Sequence, residues 1–391
     1  MAGIIVKPRS RIFQGHDWVY SSEVRKLFGD PQPGDVVSIK DFRDRFIGSG
    51  MYNPASQIVV RRFSRQRQDL DAEFFVRRLR RAMNLRASLA GIDPLFCRVV
   101  WSESDGLPGV VIDRYGEVAV LQTLTLAMDQ RQSALVAAIQ EALPEIRSIV
   151  ARNDSVMRTA EGLERSVSVL HGPEPKPFPI KWGDLVFTVD ALGAQKTGLY
   201  LDQFENYALV GSWSGGRRVL DCFCHQGGFA QACAKAGAAS VEAVDSSASA
   251  LAALRDNAER NGLSIEAIEA NVFDLLKERE ASGWTCDLVI LDPPSFTRSR
   301  RSLRDALRGY KEIHLRALKL LEPGGMLVTF SCSHHLSAAE FLEMLADAAS
   351  DAKRTLRRRA IYTQRGDHPI LLNIPESEYL RGYAFEIAGG W

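Results

Sequence analysis

The stretch DLVILDPPSF, residues 287–296, joins the pattern of a buried strand to an acidic motif with two prolines. A run this short and this rich in Val, Ile and Leu is typical of a strand inside a parallel sheet. A second run of this kind, MLVTF at 326–330, is followed directly by SCS at 331–333. In open α/β sheets, reacting groups gather beyond the carboxyl ends of the strands. The two stretches therefore predict a doubly wound sheet in which Asp292 and Cys332 face one crevice.

A glycine turn lies earlier in the chain, in RVLDCFCHQGG at 218–228, before a helix of small residues at 229–237. A strand, a glycine turn and a helix amino terminus together can cradle a cofactor. The next strand-like run, 240–244, ends at Asp245, where an acid suits the ribose hydroxyls of NAD or of S-adenosylmethionine. The dinucleotide spacing GxGxxG is missing, because a single glycine pair marks the turn. S-adenosylmethionine has no pyrophosphate to cradle, so the turn favours this cofactor.

Length and composition bound the class of protein. A chain of 391 residues predicts two or three domains, and 46% hydrophobic with 25% charged residues indicates a folded globular protein. No apolar run approaches the roughly 20 residues that cross a membrane, so no membrane partner is expected. Six cysteines in so long a chain do not form a disulfide framework, which predicts a reducing, cytoplasmic location.

The near-neutral net charge conceals an asymmetry. Residues 1–90 hold 17 Lys/Arg against 9 Asp/Glu, a balance of +8, and the remainder of the chain carries −7. A basic amino-terminal segment suggests contact with a polyanion. A solvated arginine face explains the charge equally well.

The chain divides into three predicted domains. Residues 1–70 alternate short β-like runs with turn signals and predict a small barrel. Residues 71–175 begin with helical spacing and continue as a compact α+β unit. A proline-rich linker, GPEPKPFP at 172–179, leads into residues 176–391, where strands alternate with helices as in a doubly wound sheet.

Seven motifs together carry a resemblance to a known family. They are GHDWVY (15–20), SQ (56–57), ESDGLPG (103–109), KTGLYLDQ (196–203), DPPSF (292–296), FSCS (330–333) and GDHP (366–369). On these motifs the chain resembles the family of ribosomal large-subunit methyltransferase I, which forms 5-methylcytosine in 23S rRNA. The resemblance extends over essentially the whole length. It implies a PUA-like RNA-binding domain, a central α+β domain and a Rossmann-like class I S-adenosylmethionine-dependent methyltransferase domain, with 23S rRNA as the partner.

The turn, the strand ends and the resemblance give the expected site. The residues expected to bind S-adenosylmethionine are Lys196, Thr197, Gly198, Tyr200, Asp202, Asp221, Phe223, Gly227, Gly228, Asp245, Asn271, Val272, Asp292 and Pro293. The chain departs from the family at Phe204, where arginine is usual, and at His225-Gln226, where the family has Tyr-Thr or Tyr-Val. These departures put individual contacts in doubt rather than the cofactor itself.

The chemistry of cytosine methylation explains the need for a cysteine. Carbon 5 of cytosine is a poor nucleophile until a thiolate adds to carbon 6, and this covalent step divides one difficult reaction into easier ones. Cys332 is the expected nucleophile, and Asp292 is expected to hold the N3 and amine edge of the base. At a strand end, however, a lone cysteine is usually a small buried hydrophobe.

Basic residues follow the acidic motif, and Arg298, Arg300, Arg301 and Arg304 are expected to hold RNA phosphates. The alternative is a solvated helix face. No metal is expected, because Cys222, Cys224, His225 and Cys233 lack the paired spacing of zinc ligands.

Two other functions stay open. Methylation of a guanine ring nitrogen or of an exocyclic amine needs no cysteine, and related enzymes with a similar acidic motif have asparagine where Cys332 stands. An RNA-binding assembly factor with a degenerate methyltransferase domain is the third interpretation, against which Asp245, Asp292 and Cys332 argue. The sequence leaves the oligomeric state open, with a homodimer among the partners considered.

Overall fold

The computed structural model describes residues 2–193, 197–297 and 300–389. The chain forms two compact units that are not contiguous in sequence. The first comprises Met1–Ile180, Val189–Leu201 and Gly366–Glu378, and the second comprises Lys181–Thr188, Asp202–Arg365 and Tyr379–Trp391. Among the described residues, no helix is long and apolar enough to cross a membrane.

The first unit begins with a six-stranded sheet in the order β2-β6-β5-β4-β1-β3. The strands are β1 (Gly3–Val6), β2 (Trp18–Val19), β3 (Val24–Phe28), β4 (Val36–Lys40), β5 (Phe46–Tyr52) and β6 (Val60–Ser64). Alternate residues of β1 and β4 turn inward, so that Ile4, Val6, Val37 and Ile39 form a small core of their own.

A helix and a second sheet complete the first unit. Helix α1 (Ala72–Ser88) starts at Asp71, whose side chain accepts a hydrogen bond from the Phe74 amide at 2.7 Å. The sheet has the order β11-β10-β9-β8-β7 and is accompanied by two further helices. The elements are β7 (Phe96–Trp101), β8 (Val110–Tyr115), β9 (Val118–Thr123), α2 (Leu126–Asp129), α3 (Gln132–Ala142), β10 (Ser148–Asn153) and β11 (Ser166–His171). The predicted α+β character of this region is confirmed.

A short hairpin follows, formed by β12 (Phe178–Trp182) and β13 (Leu185–Val189). The prediction of a linker over 172–179 is wrong at its end, because Phe178 and Pro179 belong to β12. A two-stranded sheet has only edge strands, where the missing N–H of proline is tolerated.

The second unit is built on a seven-stranded sheet in the order β16-β15-β14-β17-β18-β20-β19. Its elements are α4 (Phe204–Gly211), β14 (Arg218–Cys222), α5 (Gly228–Lys235), β15 (Ser240–Asp245), α6 (Ala248–Arg260), β16 (Glu266–Glu269), α7 (Val272–Ser282), β17 (Cys286–Leu291), α8 (Leu303–Lys319), β18 (Leu321–Ser331), α9 (Ala338–Asp351), β19 (Thr355–Thr363) and β20 (Arg381–Ala388). Strands β14 to β18 pair in parallel, and β20 is antiparallel to both of its neighbours. The predicted doubly wound sheet is confirmed.

Candidate functional site

Parallel pairing brings four strand ends to one edge of the large sheet. Cys222 of β14 is level with Val244 of β15 and with Leu291 of β17, and Leu291 is level with Thr329 of β18. The residues just beyond these levels are the predicted ones: Asp245, Asp292 and Cys332, with Asp221 one residue before the end of β14. The structure therefore places the three acids and the thiol at the same edge.

The turn after β14 has an unusual backbone. Phe223 has φ 63° and His225 has φ 49°, both in the left-handed region that side chains other than glycine rarely adopt, and Gly227 has φ 75°. A Cβ added at Gly227 would approach Leu254 to 2.7 Å, and one at Gly228 would strike the ring of Tyr207. Both positions therefore require glycine. The loop before α5 thus has a positive φ at every second residue, and strained backbone of this type is concentrated at ligand-binding and active sites.

Asp245 is fixed by the backbone around it. Its Oδ2 accepts from the His225 amide at 2.9 Å, and its Oδ1 accepts from the Ser247 amide at 2.9 Å. Each carboxylate oxygen has a second lone pair, so both can still accept a hydrogen bond from a hydroxyl. Both oxygens therefore keep acceptor capacity, and contact between Asp245 and ribose hydroxyls stays a prediction.

Asp221 is buried beneath the turn. Its Oδ2 accepts from the Ala230 amide at 3.0 Å, and no described residue forms a hydrogen bond to its Oδ1. Burial raises the pKa of Asp221 well above its ordinary value, and the charges of Asp292 and Asp245 raise it further. An orphaned buried carboxylate oxygen among other acids suits a cationic ligand. S-adenosylmethionine fits, because its sulfonium and ammonium groups are positive and its ribose supplies hydroxyl donors.

Asn271 and Val272 lie at the start of α7. The Oδ1 of Asn271 accepts from the Phe273 amide at 2.9 Å and so caps the helix, while Val272 is buried in the core. Their part in cofactor binding stays a prediction, as it does for the buried Pro293.

Asp292 is held by a chain of buried amides. Gln203 donates from Nε2 to Asp292 Oδ2 at 3.0 Å, and Asn206 donates from Nδ2 to Gln203 Oε1 at 2.7 Å. Asn206 also donates to the Thr363 carbonyl at 2.9 Å. Next to this chain, the Tyr379 hydroxyl donates to Asp202 Oδ2 at 2.6 Å. The predicted cofactor residue Asp202 therefore has a structural bond of its own.

Hydroxyl groups join the loop of Asp292 to the loop of Cys332. Ser295 and Ser333 meet Oγ to Oγ at 2.8 Å, and the Tyr310 hydroxyl lies 3.0 Å from Ser333 Oγ. The ring of Phe296 packs on that of Tyr310 with centroids 4.6 Å apart. Burial raises the pKa of Tyr310, and the charge of Cys332 contributes in the same direction. The network fixes the two loops after β17 and β18 relative to each other.

The cysteines differ in exposure. Five of the six, all within the described residues, are buried, and Cys332 alone is partly exposed. Burial raises the pKa of Cys233 and of Cys286 to about 12, and that of Cys222 and Cys224 well above its ordinary value. A buried thiol with a raised pKa is a poor nucleophile at neutral pH. Cys332 is therefore the cysteine best suited to react.

Some predicted residues belong to the first unit or lie outside the described part of the chain. Thr197, Gly198 and Tyr200 belong to the first unit, where Thr197 donates to Asp113 and the Leu199 amide donates to the Tyr115 hydroxyl at 3.2 Å. Lys196 and Arg298 are outside the described residues.

The remaining predicted RNA-binding residues are exposed. Arg300 and Arg301 lie in a short helical turn before α8, and Arg304 lies in the first turn of α8. Farther along the helix, Arg308 pairs with Asp305 at 2.6 Å. Phosphate contact by the first three stays a prediction.

Sequence reasoning missed Gln203, Asn206 and Tyr310. Gln203 was visible as the last letter of KTGLYLDQ, but nothing in the sequence says which acid it meets 89 positions later. Tyr310 follows an apolar helical pattern and has no other signal.

Comparison with known proteins gives consistent results. The chain matches the models of two families, a PUA-like domain over residues 4–65 and an S-adenosylmethionine-dependent methyltransferase over residues 152–358, which is more than half of the chain. A solved structure named "a putative SAM-dependent methyltransferase from Streptococcus mutans" superimposes with a TM-score of 0.85 at 20% identity, covering 99% of this chain and 100% of that one. Another methyltransferase structure, a complex with SAH, superimposes with a TM-score of 0.86 at 20% identity over the same shares. These two establish the fold.

Relatives found by sequence have a higher identity to this chain than these two structures do. The protein named ribosomal RNA large subunit methyltransferase I from Erwinia tasmaniensis is 39% identical over 98% of both chains. Its namesake from Photobacterium profundum is 39% identical over 97% of this chain and 98% of that one, and that from Shewanella amazonensis is 42% identical over 94% of both. The acids around the glycine turn and these near-full-length matches agree: the chain belongs to the ribosomal RNA large subunit methyltransferase I family of S-adenosylmethionine-dependent methyltransferases, with S-adenosylmethionine as its cofactor.

Proposed function

We propose that the chain methylates carbon 5 of a cytosine in 23S rRNA through a covalent bond between Cys332 and carbon 6 of the base. The observation that carries the proposal is the position of Cys332. It is the one cysteine that is not buried, and it follows β18 beside the loop that holds Asp292. A base that enters the edge formed by these loops meets a thiol and a carboxylate.

Each step of the reaction balances in atoms and electrons. The thiolate of Cys332 adds to carbon 6, and the electron pair of the C5–C6 double bond becomes available at carbon 5. Carbon 5 takes the methyl group, whose bonding pair stays on sulfur, so that the sulfonium becomes a neutral thioether. Loss of the carbon-5 proton to a base or to water restores the double bond and expels the thiolate. Ser295 occupies the position where some cytosine-5 enzymes carry a second cysteine, and its hydroxyl is engaged with Ser333.

Asp292 has the complementary role. Adding a nucleophile to carbon 6 develops negative charge on the N3 side of the ring, and a carboxyl group that shares a proton there stabilises that charge. The carboxylate also accepts a hydrogen bond from the exocyclic amine. Because Gln203 fixes one of its oxygens, Asp292 meets the base in a defined orientation.

The choice of RNA rests on two supports. The relatives at 39–42% identity are named for the large-subunit ribosomal RNA. The exposed Arg300, Arg301 and Arg304 follow the Asp292 loop, where cations favour a phosphate backbone. A cytoplasmic location, a homodimer and domain boundaries at residues 70 and 175 stay predictions.

Product analysis tests the proposal. Ribosomal RNA from cells lacking the gene is incubated with labelled S-adenosylmethionine and the protein, digested to nucleosides and separated. We expect the label in 5-methylcytidine, its loss in Cys332→Ala, and its retention in Cys97→Ala, which removes a buried thiol from the first unit. Label in a methylated guanosine, or at an exocyclic amine, would contradict the cytosine-5 assignment.

A further inference from the structure

Two buried amides form a hydrogen-bonded chain that ends on Asp292, and the second of them, Asn206, has no role in the reaction as described so far. Gln203 precedes α4 and is 2% exposed, and Asn206 lies in the first turn of α4 and is 3% exposed. We propose that Gln203, oriented by Asn206, is a positioning residue that keeps Asp292 Oδ2 an unprotonated acceptor, so that Oδ1 exchanges the proton with the substrate base. The proposal rests on the role of Asp292 in the proposed function.

The Thr363 carbonyl, at one end of this series of hydrogen bonds, fixes the orientation of both amide groups. The Thr363 carbonyl can only accept, so the Asn206 group 2.9 Å from it must be the NH2 group. That group also meets Gln203 2.7 Å away, so the Gln203 atom there is the oxygen. The NH2 group of Gln203 then has to face Asp292 Oδ2, 3.0 Å away. The orientation of both amides follows from one backbone carbonyl.

The donor has a consequence for the acid. An N–H that donates to Oδ2 favours the ionised form of that oxygen and opposes its protonation. Without this bond, Oδ2 loses a donor that opposes its protonation, so the proton is no longer directed to Oδ1. Catalysis that depends on one proton at one oxygen is then slowed even though cofactor and RNA still bind.

Neighbouring acids make such a donor necessary. The charges of Asp292 and Asp245 both act on Asp221, so three carboxyl groups share one edge of the sheet. Burial and this repulsion raise the pKa of Asp221, and a fixed N–H donor favours the unprotonated form of Asp292 Oδ2. Buried amides supply this N–H donor without adding a charge to the cluster of acids.

Three variants separate this role from simple packing. Gln203→Leu removes the donor. Gln203→Glu keeps the size of the side chain and its acceptor for Asn206, but turns a donating group into an acceptor. Asn206→Asp changes no residue that contacts Asp292. It removes the NH2 group that donates to Gln203 Oε1. The Gln203 amide should therefore rotate by half a turn, so that its oxygen rather than its NH2 group faces Asp292. The matched control is Asn257→Leu on α6, a fully buried amide that accepts from the Thr188 amide at 2.9 Å.

Gln203→Leu should lower kcat by roughly ten- to a hundredfold, the range expected for a hydrogen bond to a charged group. KM for RNA and the calorimetric Kd for S-adenosylmethionine should stay at wild-type values. Gln203→Glu should be slow at neutral pH and recover as the pH falls, because the introduced carboxyl group donates again once it is protonated. Asp221, Asp245 and Cys332 are present in every variant, so the wild-type pH profile measured alongside is the reference. Asn206→Asp should behave as Gln203→Glu does, and the control should lower the melting temperature without changing kcat.

Two results would overturn the inference. If Asp292→Asn abolishes methyl transfer while Gln203→Leu keeps the wild-type kcat, Asp292 needs no positioning by Gln203 and the proposed function stands. If Asp292→Asn itself keeps the wild-type kcat, the role of Asp292 in the proposed function fails, and the inference fails with it.

Discussion

Two acids of the site, Asp245 and Asp221, are held by the backbone rather than by other side chains. Asp245 accepts from two main-chain amides, and Asp221 accepts from a third at the start of α5. Such bonds survive most changes of neighbouring side chains. The location of these acids could be predicted from the sequence, because each lies at or beside a strand end that the apolar pattern predicts. Gln203 could not be assigned, because its partner is set by the packing of α4 against the sheet edge.

At the residue scale, Asp245→Ala should weaken S-adenosylmethionine binding by roughly ten- to a hundredfold, because loss of the charge-assisted hydrogen bonds to the ribose costs about 1.5–3 kcal/mol in total. Titration calorimetry measures the affinity, and the melting temperature checks the fold. Glu269→Ala is the matched control, since Glu269 is an exposed acid level with Asp245 on the next strand. Equal affinity in wild type and Asp245→Ala would remove Asp245 from the cofactor site.

At the scale of elements, β18 and α8 together position Cys332, the proposed nucleophile. Strand β18 carries Cys332 beyond its end, and α8 supports that strand from one face through Tyr310 and His314. His314 is completely buried; its Nδ1 donates to the Tyr310 carbonyl at 2.6 Å, and its Nε2 accepts from Thr329 at 2.7 Å. The apolar spacing of α8 was visible in the sequence, but these polar contacts inside its buried face were not.

His314 predicts a pH dependence of stability. Burial lowers its pKa to about 4, against about 6.5 in the unfolded chain. The unfolded state therefore takes up a proton first as the pH falls, so stability is intact above about pH 6.5 and declines towards pH 4, by about 2 kcal/mol at pH 5. Urea unfolding at pH 7.5 and pH 5 should show this loss in wild type and not in His314→Gln. Equal losses in the two proteins would show that His314 does not titrate in this range.

The helical turn before α8 and the start of that helix predict a salt dependence. Replacing Arg300, Arg301 and Arg304 together by Gln should reduce the slope of log K against log salt for RNA binding by about 2, at about 0.7 per phosphate contact on single strands. Arg316→Gln on the same helix is the control, because Arg316 is paired with Glu280 at 2.8 Å and Glu312 at 3.2 Å. Filter binding between low and moderate salt measures both slopes. An unchanged slope in the triple variant would mean that these arginines form only a solvated surface.

At the scale of the whole molecule, the chain returns to its first unit twice. The segments Val189–Leu201 and Gly366–Glu378 both belong to the unit formed mainly by the first 180 residues. Buried polar bonds hold the second segment there: Asp367 accepts from the Arg98 amide at 2.8 Å, and its carbonyl accepts from Arg86 at 2.8 Å. The sequence predicted the sheets of both regions from local periodicity. It could not predict these returns, because they depend on contacts between residues that are hundreds of positions apart.

Asp105→Ala tests how much these buried bonds stabilise the first unit. Asp105 binds Arg86 through both of its oxygens, at 2.5 and 2.8 Å, and Arg86 is completely buried. Removing the acid leaves a buried charge without its partner, which should cost about 3–5 kcal/mol of unfolding free energy. Asp44→Asn, which breaks the exposed Lys40 pair and keeps a side chain that tolerates the φ of 64° at this position, should cost about 0–1 kcal/mol. Similar losses in the two variants, measured by urea unfolding, would show that the Arg86 cluster contributes little.

Trapping with 5-fluorocytosine tests the covalent mechanism most directly. Ribosomal RNA transcribed with 5-fluorocytidine should become attached to the protein in the presence of S-adenosylmethionine, because fluorine cannot leave carbon 5 as a proton does. The attached species should survive denaturing electrophoresis and should be absent in Cys332→Ala but present in Cys97→Ala. An adduct that forms with Cys332→Ala, or full methylation of cytosine by that variant, would contradict the assignment of Cys332 as the nucleophile.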